Sequence, residues 1–253
     1  MSARDKAWEK IFKDYNIEKH NFDKEPFFIS SNEIKKSCKD FVEGGITEPR
    51  ILCKQDSRES RPQVFKDNNL FILPTKNKHY AILKGEGYVD IPDIVTEPKI
   101  HKSKLEFDLE TTKVGNSEMQ HLDHAYASSI IRTFAQDPTL VLTIRGRKYT
   151  PEFSFKVNNY EIITQSVQTE VDAGYEGKDS VILVEAKNSR TSNEIIRQLY
   201  YPFRQWSENT TKNVTTLFFE KRGDLYYLWQ FAFLEPYEYN SIKLIKSERY
   251  RIE

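Results

Sequence analysis

Thr169-Glu170-Val171-Asp172 and, nine residues on, Val181-Ile182-Leu183-Val184-Glu185-Ala186-Lys187 decide how this chain folds. Val181 to Val184 is an unbroken aliphatic run, the pattern of a strand buried on both faces. Such a strand does not end in Glu185 and Lys187 without cause, because an unpaired buried charge costs several kcal/mol. Side chains alternate along a strand, so Glu185 and Lys187 share one face and Ala186 takes the other. Glu170 and Asp172 are expected to share a face for the same reason. A hairpin turning through Gly174 and Gly177 would set Asp172 beside Glu185 at one end of a sheet.

Two carboxylates and a main-chain carbonyl, here that of Ala186, make a hard-oxygen site suited to Mg²⁺. A bound Mg²⁺ raises the acidity of water, which can then attack phosphorus. Lys187 beside it could orient that water or offset charge on phosphoryl oxygens. The competing reading is a structural ion pair at a strand end. The upstream acid, the glycine-containing turn and the aliphatic run favour the metal site.

Asp172, a loop, and Val184-Glu185-Ala186-Lys187 closing a hydrophobic strand resemble the PD-(D/E)XK nuclease superfamily. The wider wording Glu170-Val171-Asp172-Ala173-Gly174-Tyr175-Glu176 is similar to its type II restriction endonucleases. The resemblance implies Asp172 and Glu185 as Mg²⁺ ligands, Lys187 as the partner of the attacking water, and a restriction-endonuclease-like α+β / α/β core, a mixed central sheet flanked by helices. It also implies products with 5′-phosphate and 3′-hydroxyl ends. Val171 stands where the superfamily often has proline. Glu170 is a candidate for a second metal or for positioning water.

After the motif, Ser192 is read as an N-cap with Glu194 in the first helical turn. Ile195, Leu199, Phe203 and Trp206 then form the apolar stripe of an amphipathic helix that Pro202 should kink or shorten. The resemblance makes Gln198 and Tyr201 candidate auxiliary residues. Arg190, Arg197 and Arg204, spaced seven apart, fall off the stripe and are candidate DNA contacts. Val214 to Glu220 and Leu225 to Phe233 read as strands joined by a tight turn at Gly223-Asp224.

Upstream, Gln120 to Ala135 reads as one helix ended by Asp137-Pro138. Its Glu118 and Asp123 lie where some superfamily members supply an extra acid, and a helix-cap charge is the competing reading. His121 and His124 lack a third ligand for zinc and are expected on an exposed face. Leu140 to Ile144 reads as a strand, and Arg145, Arg147 and Lys148 follow as a basic group with Tyr149, expected to contact phosphates. The order helix, three strands, helix, strand matches a mixed sheet.

The N-terminal part reads as helices over Ala7 to Tyr15 and from Ser30-Ser31-Asn32-Glu33 through Ile34, Cys38, Phe41 and Val42 to Gly44-Gly45, with short strands at Arg50 to Lys54, Leu70 to Pro74 and Tyr80 to Lys84. A small α+β unit of winged-helix-like or similar type is expected, with Lys35, Lys36, Arg58 and Arg61 as candidate DNA contacts. Residues 91–112 read as a connector, dividing the chain into an N-terminal accessory region, 1–110, and a catalytic region, 111–253.

The 253 residues carry 38 basic and 38 acidic side chains, a balance that argues weakly against nucleic-acid binding. Cys38 and Cys53 have no metal spacing and suit reduced thiols in a cytosol, and the restriction-enzyme resemblance implies a prokaryotic cytoplasm. No apolar run is long enough to span a membrane, and no signal-peptide segment is visible. The expectation is therefore a Mg²⁺-dependent restriction endonuclease acting on double-stranded DNA, a homodimer because two strands must be cut, paired with a protecting DNA methyltransferase. The alternatives are a repair, recombination or modification-dependent endonuclease on the same core, and a non-catalytic DNA-binding module.

Overall fold

The structure is a computed structural model that describes residues 2–41 and 47–253. Helix α1 (Ala3–Asp14) opens with a capping box in which Ser2 and Asp5 satisfy each other's backbone N–H. Strand β1 (Phe27–Ser30) leads into α2 (Ser31–Cys38), whose expected capping box forms between Ser30 and Glu33. The helix end expected at Gly44-Gly45, and Val42, lie outside the described residues. Where a strand was expected from Arg50, the chain forms α3 (Pro49–Leu52), because Pro49 presets the first helical turn and lacks only an N–H that would be unpaired there. Helix α4 (Gln63–Asp67) and the hairpin β2 (Leu70–Lys76) and β3 (His79–Lys84) complete a small α+β unit. Its sheet is antiparallel in the order β1-β3-β2. Its core gathers Trp8, Ile11, Phe12, Ile34, Phe65 and Ile82, with Trp8 and Phe65 edge to face at 4.8 Å.

The larger unit adds β4 (Tyr88–Asp90), β5 (Lys99–His101), α5 (Glu118–Ala127), α6 (Ile130–Ala135) and β6 (Val141–Tyr149). It continues with a side hairpin, β7 (Phe153–Val157) and β8 (Tyr160–Thr164), then β9 (Gln168–Glu176), β10 (Ser180–Lys187) and β11 (Asn193–Ile195). Helix α7 (Arg197–Ser207) and the strands β12 (Asn213–Arg222), β13 (Leu225–Phe233) and β14 (Ile242–Ile252) close the chain. Seven strands form one sheet in the order β5-β14-β13-β12-β10-β9-β6. Only β10 with β12 and β14 with β5 run parallel. The protein is thus a mixed α+β fold with a mostly antiparallel multi-stranded sheet and few helices.

The aliphatic run of β10 occupies the middle of this sheet. Val181 and Leu183 pack with Leu199, Tyr200 and Phe203 of α7 on one face. Ile182, Val184 and Ala186 pack with Leu122, Ala125 and Ile131 of α5 and α6 on the other. The tight turn at Gly223-Asp224 forms as expected, with Gly223 at φ +59°.

Several elements differ from the sequence reading for identifiable reasons. The helix expected over Gln120 to Ala135 breaks at Ser128-Ser129, where Ser129 turns left-handed at φ +68° and the Ser128 carbonyl meets the buried His101 ring at 2.7 Å. His121 is buried rather than exposed, held 2.7 Å from the Asn116 side chain. The connector read over residues 91–112 contributes β5 to the sheet edge, and β4 just before it pairs with β11. Three-residue strands are too short to show a period, so pattern alone did not reveal them. Pro202 lies inside α7 without ending it. No helix among the described residues is long and apolar enough to cross a membrane.

Candidate active site

The pairing of β9 with β10 runs from Glu176↔Val181 to Ala173↔Val184 and stops there. Against β6, Val171 pairs with Gly146 while Gly174 pairs with Ile144, so Asp172 and Ala173 together stand opposite Arg145. This is a β-bulge, a device that re-aims a side chain. The slip shows in the packing: Val171 joins the core on the α7 side, whereas Ala173 joins the core on the α5 side. The simple alternation expected to put Glu170 and Asp172 on one face therefore fails at this point.

Where β9 leaves β10, the Asp172 carboxylate replaces its main chain. Oδ2 of Asp172 accepts a hydrogen bond from the Ala186 N–H at 2.8 Å. Because N–H and C=O of one strand residue point the same way, the Ala186 carbonyl is directed toward the same gap. Glu185 and Lys187 project together, as alternation requires, and the Lys187 ammonium donates to Glu185 Oε1. The structure thus gathers Asp172, Glu185 and Lys187 as the sequence reading expected.

A further acid completes the group. Glu194, read from sequence as a first-turn helix residue, lies on β11 with only 1 % of its surface exposed. Its Oε2 is 3.7 Å from the Lys187 ammonium, and its buried Oε1 has no hydrogen-bond partner among the described residues. Gln198, the candidate auxiliary residue, stands in the first turn of α7 near enough to Glu194 to favour its charged form slightly. Tyr201 does not join them: its hydroxyl donates to the Pro74 carbonyl at 2.8 Å, a link between the two units. Glu118 at the start of α5 is near enough for its charge to act on Asp172.

Three acids surround one ammonium, and the electrostatics follow from that imbalance. Burial lifts the Asp172 carboxyl above its ordinary range, against the lowering effects of the Ala186 N–H and Lys187. Glu185 is pushed up to about 7, first by burial and then by the Asp172 charge, with Lys187 opposing. Glu194 is pushed up to about 8 by burial, with Lys187 opposing and Glu185 and Asp56 adding to the rise. Burial works against the Lys187 charge, yet Glu185 and Glu194 hold its proton more tightly than usual. Lys187 is therefore a fixed cation and hydrogen-bond donor.

No group of three or more His, Cys, Asp or Glu side chains placed to hold a metal ion exists among the described residues. The donor set is instead two carboxylates and a main-chain carbonyl, with an unpaired acid oxygen nearby. Those are hard oxygen donors with surplus negative charge, and they fit Mg²⁺, which accepts one or two protein carboxylates and keeps its remaining waters.

Beside this cluster runs a groove of about 550 Å³ between the two units. Lys35, Arg50, Lys54, Lys76 and Lys78 of the N-terminal unit line one wall, and Gln168, Thr169, Glu170, Arg197 and Gln198 line the other. A small cleft shares Glu170 and Gln198 with the groove and reaches Glu185. Of the basic residues singled out from sequence, Lys35 and Arg197 line the groove, while Lys36 is exposed outside its lining. Arg147 pairs with Glu170 at 3.2 Å, and Lys148 lies over the Trp206 ring. Arg145 pairs with Asp123, and Arg190 with Asp93. Arg145, Arg147 and Lys148 sit on the edge strand β6, not on a loop after it.

Three expected DNA contacts are corrected by their packing. Arg204 is buried, donating to the Ser154 carbonyl at 2.9 Å between the rings of Phe153 and Tyr237. Arg58 is held by Glu86 at 3.1 Å and Asp90 at 2.5 Å. Arg61 donates to the carbonyls of Arg58 and Leu70 and lies over Tyr88. These guanidiniums join elements of the fold instead of facing a ligand.

The chain belongs to the family described as Domain of unknown function (DUF6997), whose model matches residues 83–251; a second model, Domain of unknown function (DUF6996), matches residues 5–82. The two matches meet within β3, where the N-terminal unit ends. No curated protein and no solved structure matches the chain.

Proposed function

We propose that this protein is a Mg²⁺-dependent DNA endonuclease of the restriction type, with a PD-(D/E)XK core and a winged-helix-like N-terminal unit. The observation that carries the reading is the convergence of Asp172, Glu185 and Lys187 where β9 parts from β10. Asp172, Glu185 and the Ala186 carbonyl would hold the cation. When bound, Mg²⁺ polarises a phosphate oxygen and raises the acidity of nearby water. Lys187, kept protonated by Glu185 and Glu194, orients the attacking water and offsets charge on the phosphoryl oxygens. Glu194 and Gln198 hold Lys187 in place, and Glu170 at the groove wall is a candidate for positioning water.

The groove supplies the support for DNA as substrate. Along one wall, five lysines and arginines outnumber Glu48 and Asp56, which pair with Lys35 and Lys54, and this positive excess suits a phosphate backbone; the order helix, strand, helices, hairpin with a β1-β3-β2 sheet suits a winged-helix-like module. Zero net charge overall is compatible with this because the groove lining itself carries more basic than acidic side chains. Double-strand cutting would use two copies of the chain, and a methyltransferase would protect host DNA.

Supercoiled plasmid incubated with Mg²⁺ tests the reading. Wild type is expected to give discrete linear fragments, and Glu185→Ala and Lys187→Ala none. Nicks or structure-dependent cuts would indicate repair chemistry, and plasmid left intact by wild type would indicate a binding module.

A further inference from the structure

Gln55 lies in the loop after α3 and lines the groove, yet only 1 % of its surface is exposed. Both atoms of its amide, Oε1 and Nε2, are buried and have no hydrogen-bond partner among the described residues. Leaving a buried donor and acceptor both unpaired is unfavourable, and native side chains rarely do so without another role. The surrounding backbone, by contrast, is firmly held. The Gln55 carbonyl accepts from the Tyr88 hydroxyl at 3.0 Å, the Asp56 carbonyl accepts from the Ile195 N–H at 2.8 Å, and Arg4 donates to the Lys54 carbonyl. A fixed backbone beside the groove thus carries a side chain whose amide makes no hydrogen bond that a ligand would have to break.

We infer that Gln55 is a base-reading residue that selects an adenine in the bound duplex; this rests on the proposed action on DNA. The neighbours place it for that task. Lys35, Arg50 and Lys54 nearby can position the phosphates, which fixes register without reading sequence. Its ligand must offer an acceptor to Nε2 and a donor to Oε1, side by side. In the major groove adenine presents that pair as N7 and the N6 amino group, and glutamine engages them bidentately. Ile195, Arg197 and Gln198 lead from Gln55 toward the acidic cluster, so a base read here lies close to the phosphate to be cut.

The test is selection of bound duplexes from a random-sequence library, in EDTA so that nothing is cleaved, with wild type, Gln55→Leu and Gln55→Glu. Wild type should enrich an A·T pair at one position. Gln55→Leu, which removes two unpaired buried polar atoms and so folds at least as well, should lose that preference and keep the others. Its affinity for the selected duplex should fall roughly 5- to 150-fold. Gln55→Glu keeps the shape but only accepts, and should shift the preference toward cytosine. Unchanged adenine enrichment in both variants, or no adenine preference in wild type, overturns the inference. Plasmid cleavage separates the two claims: wild type that cuts but selects no adenine refutes only the role of Gln55, and wild type that selects adenine but never cuts refutes only the nuclease reading.

Discussion

Glu185 and Glu220 lie near the ends of neighbouring parallel strands, where Lys187 pairs in register with Glu220, and both are buried. Their surroundings differ in kind. Glu220 is 0 % exposed and fully partnered: Oε2 accepts from Arg222 Nε at 2.6 Å and Oε1 from the Thr191 N–H at 2.8 Å. Arg222 in turn lies over Tyr227 and 3.4 Å from Asp93. Glu185 shares one lysine with Glu194, and Asp172 adds a further negative charge. One group is balanced and supports the fold; the other carries surplus charge that only protons or a cation can offset. Burial alone does not distinguish them. The unmet charge does.

The largest expected effect breaks the comparison on the catalytic side. Glu185→Ala or Lys187→Ala should lower Mg²⁺-dependent plasmid cleavage by roughly 10²- to 10⁴-fold or more. Glu185→Ala should not lower the thermal unfolding midpoint of the metal-free protein, since it removes one of three mutually repelling acids. Full cleavage in either variant would remove the residue from the mechanism.

Glu220→Ala should do the reverse. It strands Arg222 and the Thr191 N–H, and should cost about 3 kcal/mol or more in denaturant unfolding. Cleavage per folded molecule should stay near wild type. A cleavage defect without loss of stability would place Glu220 with the site acids.

Dependence on pH sharpens the contrast. Glu185 at about 7 and Glu194 at about 8 both lie above the ordinary value of 4.5. A carboxyl raised on folding stabilises the folded state below its unfolded value, and that contribution is lost as pH rises through the folded value. Metal-free protein should therefore become less stable between about pH 4.5 and about pH 8, and Mg²⁺ should restore more stability at the upper end. Glu194→Gln should flatten the profile. A thermal midpoint equally insensitive to pH in wild type and Glu194→Gln would contradict the surplus charge.

The smallest effect concerns Tyr201. Because its hydroxyl bonds to Pro74 and not to the acidic cluster, Tyr201→Phe should cost about 1 kcal/mol of stability. Its cleavage rate should change little, and a large drop would restore Tyr201 to the site.

How much of this was legible in the sequence depended on range. The aliphatic run of β10 and the shared face of Glu185 and Lys187 follow from local alternation, and both formed as expected. The bulge at Asp172 depends on the register of β6, which no local period shows. Glu194 was hidden because Ser192-Asn193-Glu194 resembles a helix start; the β-branched pair Ile195-Ile196 was the available sign that the chain was still extended. Arg204 looked like part of a polar stripe, but the β7–β8 hairpin brings Phe153 and the Ser154 carbonyl onto that face of α7. Gln55 gave no sign at all, because an unpaired amide is a property of the packed molecule.

The most direct test of the central claim is a crystal of wild-type protein soaked in Mn²⁺ as an anomalous stand-in for Mg²⁺. The account predicts an anomalous peak within bonding distance of the carboxylates of Asp172 and Glu185. A fully soaked crystal with no peak there, or with these two carboxylates unchanged and the ion bound elsewhere, would contradict it.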